Sequence, residues 1–210
     1  MVIELIREVE KADSADSLLN AVKALAATGS EGAIPTLITV LGYNNPGAAV
    51  AAVDGLIQVG EAAVLPLLEQ LDGYNYGARA WAIRALAGVG DPRGLEILLD
   101  AAVNDFALSV RRAATRGLGT ICWQQLPPEK VAEAQLMACK TLLQASQDPE
   151  WVVRYAAVGG LQALAAATVQ PNWLAEVLAR FEEIIKTDET LAVRARAMLA
   201  NQQLLLTVNS

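Results

Sequence analysis

Residues 76–118 read YGARAWAIRALAGVGDPRGLEILLDAAVNDFALSVRRAATRGL. An apolar-periodic run (Trp81, Ile83, Leu86, Val89) stops at Gly90-Asp91-Pro92. A second run (Leu95, Leu98, Leu99, Val103) stops at Asn104-Asp105, and a third opens with Ser109-Val110-Arg111. Gly-Asp-Pro is a helix stop followed by a start: Gly closes the first helix, Asp offers an N-cap oxygen and Pro fits a first helical turn. The stretch therefore predicts helix, tight turn, helix, short turn, helix.

The pattern recurs along the chain. Leu25, Leu56, Leu86 and Leu118 are spaced by 31, 30 and 32 residues, and Gly29, Gly60 and Gly90 each lie four residues after such a leucine. Pro35 and Pro66 follow their glycines by six residues, each opening a leucine-rich segment. A second signature overlays the first: Asp105 and Arg111, Asp148 and Arg154, and Asp188 and Arg194 are each six apart, with Val before every Arg. A period near 30 with two helices per unit predicts an all-α fold, an α-solenoid of five to six two-helix repeats, because one helix pair cannot bury its own apolar face.

The expected organisation is one continuous domain over 1–210, wound as a right-handed superhelix. Residues 1–15 form an N-terminal cap around an amphipathic helix. Repeats follow at about 16–45, 46–75, 76–105, 106–149 and 150–190, with 191–210 as C-terminal cap. The fourth repeat carries an insertion, CWQQLPPE at 122–129, and the fifth another at 168–172; such irregularities are where function enters a regular array.

Composition narrows the chemistry. The chain is 54% hydrophobic with only 5% aromatics, and small residues let paired helices approach closely. A net charge of −7 argues against general nucleic-acid binding. There is no His, and Cys122 and Cys139 stand 17 apart, so Ser-His and Cys-His sites and a four-ligand zinc site are excluded and no metal is expected. Both cysteines read as small buried apolar residues. Charges interrupt the N-terminal apolar run, unlike a signal peptide, and no stretch reaches 18 uncharged apolar residues, so a cytoplasmic location is expected.

The Ala-rich two-helix units, with their VRRAA and GVGDP turns, resemble HEAT-like repeats, in particular those of the phycobilin lyase family. The nearest resemblance is to the F-type subunits of heterodimeric phycocyanobilin lyases that act on the phycocyanin alpha subunit, and it runs from Asp16 to Ala200. The resemblance implies a lyase subunit that works with a larger E-type partner. The pair adds phycocyanobilin, an open-chain tetrapyrrole, through a thioether to a cysteine of the phycocyanin alpha subunit. It implies the bilin as substrate with no permanently bound cofactor, no nucleic acid or membrane insertion, and a cyanobacterial cytosolic location near phycobilisomes. An isomerising relative uses a His- and Cys-containing motif, which this chain lacks, leaving simple transfer.

A bilin presents a flat conjugated body, pyrrole N–H donors and two propionates, so the complementary site needs aromatic faces, a carboxylate and Arg. The candidate bilin-binding residues are Asp72, Tyr74, Tyr76, Trp81, Arg84, Arg112, Trp151 and Tyr155, with Asp72 the carboxylate for the pyrrole nitrogens. Trp123, Pro127 and Pro128 are expected to form an exposed apolar cluster for partner docking. No residue is identified as catalytic. The plainer alternatives stand beside these: Trp81 as core, the tyrosines as turn residues, Arg84, Arg112 and Arg116 as a solvated face, and the spaced Asp and Arg residues as a structural ladder between repeats. The alternative function is a non-enzymatic adaptor of the same repeat class, such as a phycobilisome disassembly factor or a general protein-interaction scaffold.

Overall fold

The structure, a computed structural model, describes residues 1–71, 76–168 and 171–208, and only the backbone at 76, 207 and 208. Among the described residues there is no strand. The helices are α1 (Val2–Lys11), α2 (Ala15–Ala26), α3 (Ile34–Val40), α4 (Pro46–Val59), α5 (Val64–Gln70), α6 (Tyr76–Val89), α7 (Leu95–Asn104), α8 (Leu108–Leu118), α9 (Pro128–Ala145), α10 (Trp151–Ala166), α11 (Leu174–Thr187) and α12 (Leu191–Val208). They form two compact units, Met1–Gly94 and Leu95–Ser210.

Local chemistry sets the helix ends. Gly29, Gly60 and Gly90 have φ of 58°, 76° and 71°, the left-handed region that only Gly enters without cost, so each closes one helix and turns the chain into the next. Asp91 Oδ1 accepts from the backbone N–H of Arg93 at 2.8 Å, and the 3-10 turn Pro92–Gly94 leads into α7. Ser14 and Ser17 form a capping box at the start of α2.

In the first unit α4 packs between α2 and α6, while α3 and α5 lie against each other. The close approach of α2 and α4 depends on Gly55, where a β-carbon would stand 2.6 Å from that of Ala26. The leucines that define the repeat are the core itself: Leu25, Leu56, Leu86 and Leu118 are all buried. Each contributes about 1.5–3 kcal/mol relative to exposure. Pro46–Gln70 is apolar and long enough to cross a membrane, but half of that apolar window is buried inside the protein, and Gly60 breaks the run into α4 and α5. Arg93 ties consecutive turns, bonding Asp91 at 2.7 Å and the Glu61 carbonyl at 3.1 Å.

In the second unit α10 packs between α8 and α12, with α9 and α11 behind them. The Asp/Arg spacing is explained by two bonds made at once. Arg111 donates to the backbone carbonyl of Asp105, six residues back, and its Nε donates to the carboxylate of Asp148, in the turn before α10, at 2.7 Å. Arg154 repeats this with the Asp148 carbonyl at 3.0 Å and the Asp188 carboxylate at 2.7 Å. Asp148 and Asp188 therefore each serve two arginines, one through the carbonyl and one through the carboxylate. The carboxylates of Asp148 and Asp188 also accept the N–H two residues on, which fixes the turn before α10 and α12. Burial alone would raise the Asp188 pKa, but the bonds from Arg154 and the Thr190 N–H hold it below the ordinary carboxylate value.

Candidate functional site

The ladder arginines fix which side of α8, α10 and α12 faces outward. One residue past Arg111 and Arg154 come Arg112 and Tyr155, and five residues past come Arg116 and Gly159. These four, with Trp151, Gly160, Ala163 and Arg196, line a cleft of about 580 Å3 along α10, within the usual range for small-molecule sites. Trp151 and Tyr155 are exposed, so their ring faces are available.

Small residues make the floor. Gly160 lets α10 approach α8 closely: a β-carbon at Gly119 would lie 2.6 Å from the Gly160 Cα, and one at Gly160 would lie 2.9 Å from the Thr115 carbonyl oxygen. Gly159 is less constrained and faces the Arg196 guanidinium at ordinary contact distance. A β-carbon there would stand 3.4 Å from Arg196 Nη2.

The electrostatics are one-sided. Arg112, Arg116 and Arg196 line the cleft, and no carboxylate lines it with them. Among the described residues none of the three has an ion-pair partner, whereas Arg111 and Arg154 are satisfied by the ladder. Arg196 Nη1 is buried with no hydrogen-bond partner among the described residues. A buried unpaired donor costs about 1–3 kcal/mol, which an anion reaching it would recover. The arrangement suits a flat ligand bearing acidic groups: rings for its faces, glycines for its thickness and three guanidinium groups for its carboxylates.

The structure brings together Arg112, Trp151 and Tyr155 of the expected site. Trp81 and Arg84 lie in the other unit, on α6. Trp81 is half-buried, and the exposed Arg84 guanidinium sits 5.5 Å from its ring centroid as a cation–π pair. Asp72 and Tyr74 lie outside the described residues, as does the Tyr76 side chain. The exposed apolar cluster is corrected: Trp123 is 4% exposed. Residues 119–127 fold back through a 3-10 turn, Trp123–Gln125, which turns the ring inward with Ile121. Burying so large a ring outweighs leaving its N–H unpaired. Pro127 and Pro128 are exposed and open α9, where Pro fits the first turn.

Gly159 and Arg196 were not among the expected site residues, and Arg116 stood between a solvated face and propionate or partner binding. The available signal was the Gly159-Gly160 pair in mid-helix, where each Gly costs about 1 kcal/mol relative to Ala and so marks close approach or needed space. The cysteines supply no nucleophile to the cleft. Cys139 is fully buried, and its thiol is pushed up to about 12 by burial and, secondarily, by Glu176. Among the described residues no group of His, Cys, Asp and Glu could hold a metal ion.

Comparison with known proteins agrees with the fold. Models for HEAT repeats match residues 64–133 and 138–167. The chain is 59% identical over 204 residues to a phycocyanobilin lyase subunit beta of Pseudanabaena tenuis, covering 96% of this chain and 72% of that one. It is 63% identical over 161 residues to the phycocyanin alpha phycocyanobilin lyase CpcF of Synechocystis, covering 77% and 75%. Among solved structures it resembles a chain of the CpcE–CpcF complex of phycocyanin lyase from Nostoc, with TM-score 0.76 and 50% identity over 81% of this chain and 99% of that one.

Proposed function

We propose a function on the premise that this chain belongs to the phycocyanobilin lyase beta-subunit family, the F-type subunits of heterodimeric lyases. It is a subunit of a bilin lyase that works with an E-type partner and attaches phycocyanobilin to a cysteine of the phycocyanin alpha subunit. The cleft along α10 is the part of the chain that holds the bilin. The single observation that carries this assignment is the cluster of three arginines with no ion-pair partner among the described residues, one of them with a buried nitrogen that has no hydrogen-bond partner there, beside two exposed aromatic rings.

The reaction adds a thiol across an exocyclic double bond. The acceptor cysteine sulfur bonds to the ethylidene carbon, and a proton ends on the ring carbon that shared the double bond; no oxidant and no leaving group is needed. Arg112, Arg116 and Arg196 bind the two propionates, and Trp151 and Tyr155 cover the conjugated body. Holding the bilin in one conformation beside the thiol supplies proximity, worth about 7 kcal/mol at best. Tyr155 is the one phenolic O–H lining the cleft and is assigned as proton donor. With no carboxylate lining the cleft among the described residues, the pyrrole N–H groups are met by the E-type subunit or the acceptor protein. The bilin is a transient substrate and not a resident cofactor. The chain forms one repeat domain with repeats at 16–45, 46–75, 76–105, 106–149 and 150–190 between its caps, and acts in the cyanobacterial cytosol.

The test is titration of phycocyanobilin into the chain with its E-type subunit, followed by its visible spectrum. Arg196→Gln is expected to weaken binding about 10-fold or more, the loss of one charge-assisted bond. Unchanged affinity in both Arg196→Gln and Arg112→Gln, at unchanged folding, would place the bilin elsewhere.

A further inference from the structure

Among the described residues the last arginine of the ladder is Arg194, on α12. Arg194 occupies the position of Arg111 and Arg154 and donates to the backbone carbonyl of Asp188 at 2.6 Å, as they do to theirs. Arg111 and Arg154 each also hold a carboxylate from the next turn, at 2.7 Å. Among the described residues Arg194 has no such partner.

Around it lies an open helix face. Leu191, Arg194, Ala195, Met198, Leu199 and Gln202 line a groove of about 410 Å3 along α12. Their spacing of three and four residues is that of a helix side made to receive another helix. The three large apolar side chains are turned to solvent: Leu191 is 73% exposed, Met198 58% and Leu199 48%. Arg194, Met198 and Gln202 stand where Arg154, Val158 and Gln162 stand on α10, the side that meets α12, while Leu191, Ala195 and Leu199 continue the row that on α10 lines the cleft with Trp151, Tyr155 and Gly159. Along the Arg194–Met198–Gln202 row α12 therefore presents the surface that on α8 and α10 accepts the next Asp-led helix.

We propose that this face docks a HEAT-type helix pair of the E-type subunit, with an Asp at the head of the incoming helix closing on Arg194. The chemistry selects the occupant: an apolar helix side of matching register carrying one carboxylate at its N-terminal turn. A second copy of this chain fits poorly, because head-to-tail stacking would leave the same α12 face free on each added copy and grow an open filament. A single E-type chain ends the stack. The inference rests on the heterodimer part of the proposed function and not on the bilin cleft, whose lining shares none of these six residues.

The experiment uses the full chain purified with its E-type subunit. A benzoylphenylalanine photo-cross-linker replaces Leu199, and separately Met198→Glu and Leu199→Glu are measured for heterodimer affinity. Because both side chains face solvent, the variants are expected to melt like the parent by circular dichroism. The expected result is a cross-link to an Asp-bearing turn of the E-type subunit and at least 10-fold weaker association. Cross-links to a second copy or to the phycocyanin alpha subunit would overturn the proposal, as would unchanged heterodimer affinity. Failure of the bilin titration with an intact E-type cross-link would remove the cleft assignment and leave this one standing.

Discussion

Asp188→Ala tests whether the ladder holds the site together. In the native chain this carboxylate accepts two bonds from Arg154, at 2.7 and 3.0 Å, and one from the Thr190 N–H at 2.8 Å. The side chains of Arg154 and Asp188 are 10% and 6% exposed, so the pair is screened little by water. Removing the carboxylate leaves a buried guanidinium whose Nη1 still reaches the carbonyls of Asp148 and Pro149. Breaking a buried pair on one side costs about 3–5 kcal/mol. Glu189, 3.5 Å from Arg154 but 84% exposed, offsets part of this and sets the expectation near the lower end, about 3 kcal/mol. Equilibrium urea unfolding, followed by the fluorescence of Trp123, Trp151 and Trp173 in the second unit, reads it directly. With a slope of about 2 kcal/mol/M the midpoint falls by about 1.5 M. Glu189→Ala serves as the exposed control and shifts it by less than about 0.5 kcal/mol. A loss under 1 kcal/mol in Asp188→Ala, or equal losses in both variants, would refute the reasoning.

Three further outcomes follow from the same contacts. Gly119→Ala places a β-carbon 2.6 Å from backbone and should destabilise by about 1–3 kcal/mol, whereas Gly159→Ala meets only a side-chain tip at 3.4 Å and should stabilise by up to about 1 kcal/mol; thermal melts distinguish them. The folded Asp91 and Asp188 carboxyls titrate below their unfolded values, Asp91 chiefly through its bond from Arg93. Their stabilisation is therefore complete above about pH 4 and is lost as pH falls through the folded pKa values; urea midpoints between pH 6 and 3 should decline only at the acid end. Iodoacetamide at pH 8 should label Cys122 and spare Cys139, read by mass spectrometry, and Cys139→Ala should retain bilin attachment.

The fold was legible because its signals are local and repeated. Gly at left-handed turns, Pro in first turns and leucines at a fixed phase each act within a few residues of where they stand. The Asp/Arg spacing was legible as a ladder, but its geometry was not: the six-residue interval arises from a carbonyl bond within one turn, while the carboxylate bond reaches 34 to 37 residues ahead. Three of the cleft's lining residues followed from sequence, Arg112, Trp151 and Tyr155. Arg196 did not, because it reaches the cleft from α12 and meets Gly159 across a helix pair, a contact between positions 37 apart. Trp123 misled for the converse reason. A Trp beside two prolines reads as loop surface, yet the backbone folds back and buries it.

Covalent transfer is the activity that most directly requires this chain. Co-expression of this chain, its E-type subunit, the phycocyanin alpha subunit and phycocyanobilin should give denaturation-resistant bilin on the alpha subunit. That attachment should require both lyase chains and fall at least 10-fold when Arg112 and Arg196 are both changed to Gln at unchanged folding. Attachment that proceeds equally without this chain, or undiminished in the double variant, would contradict it.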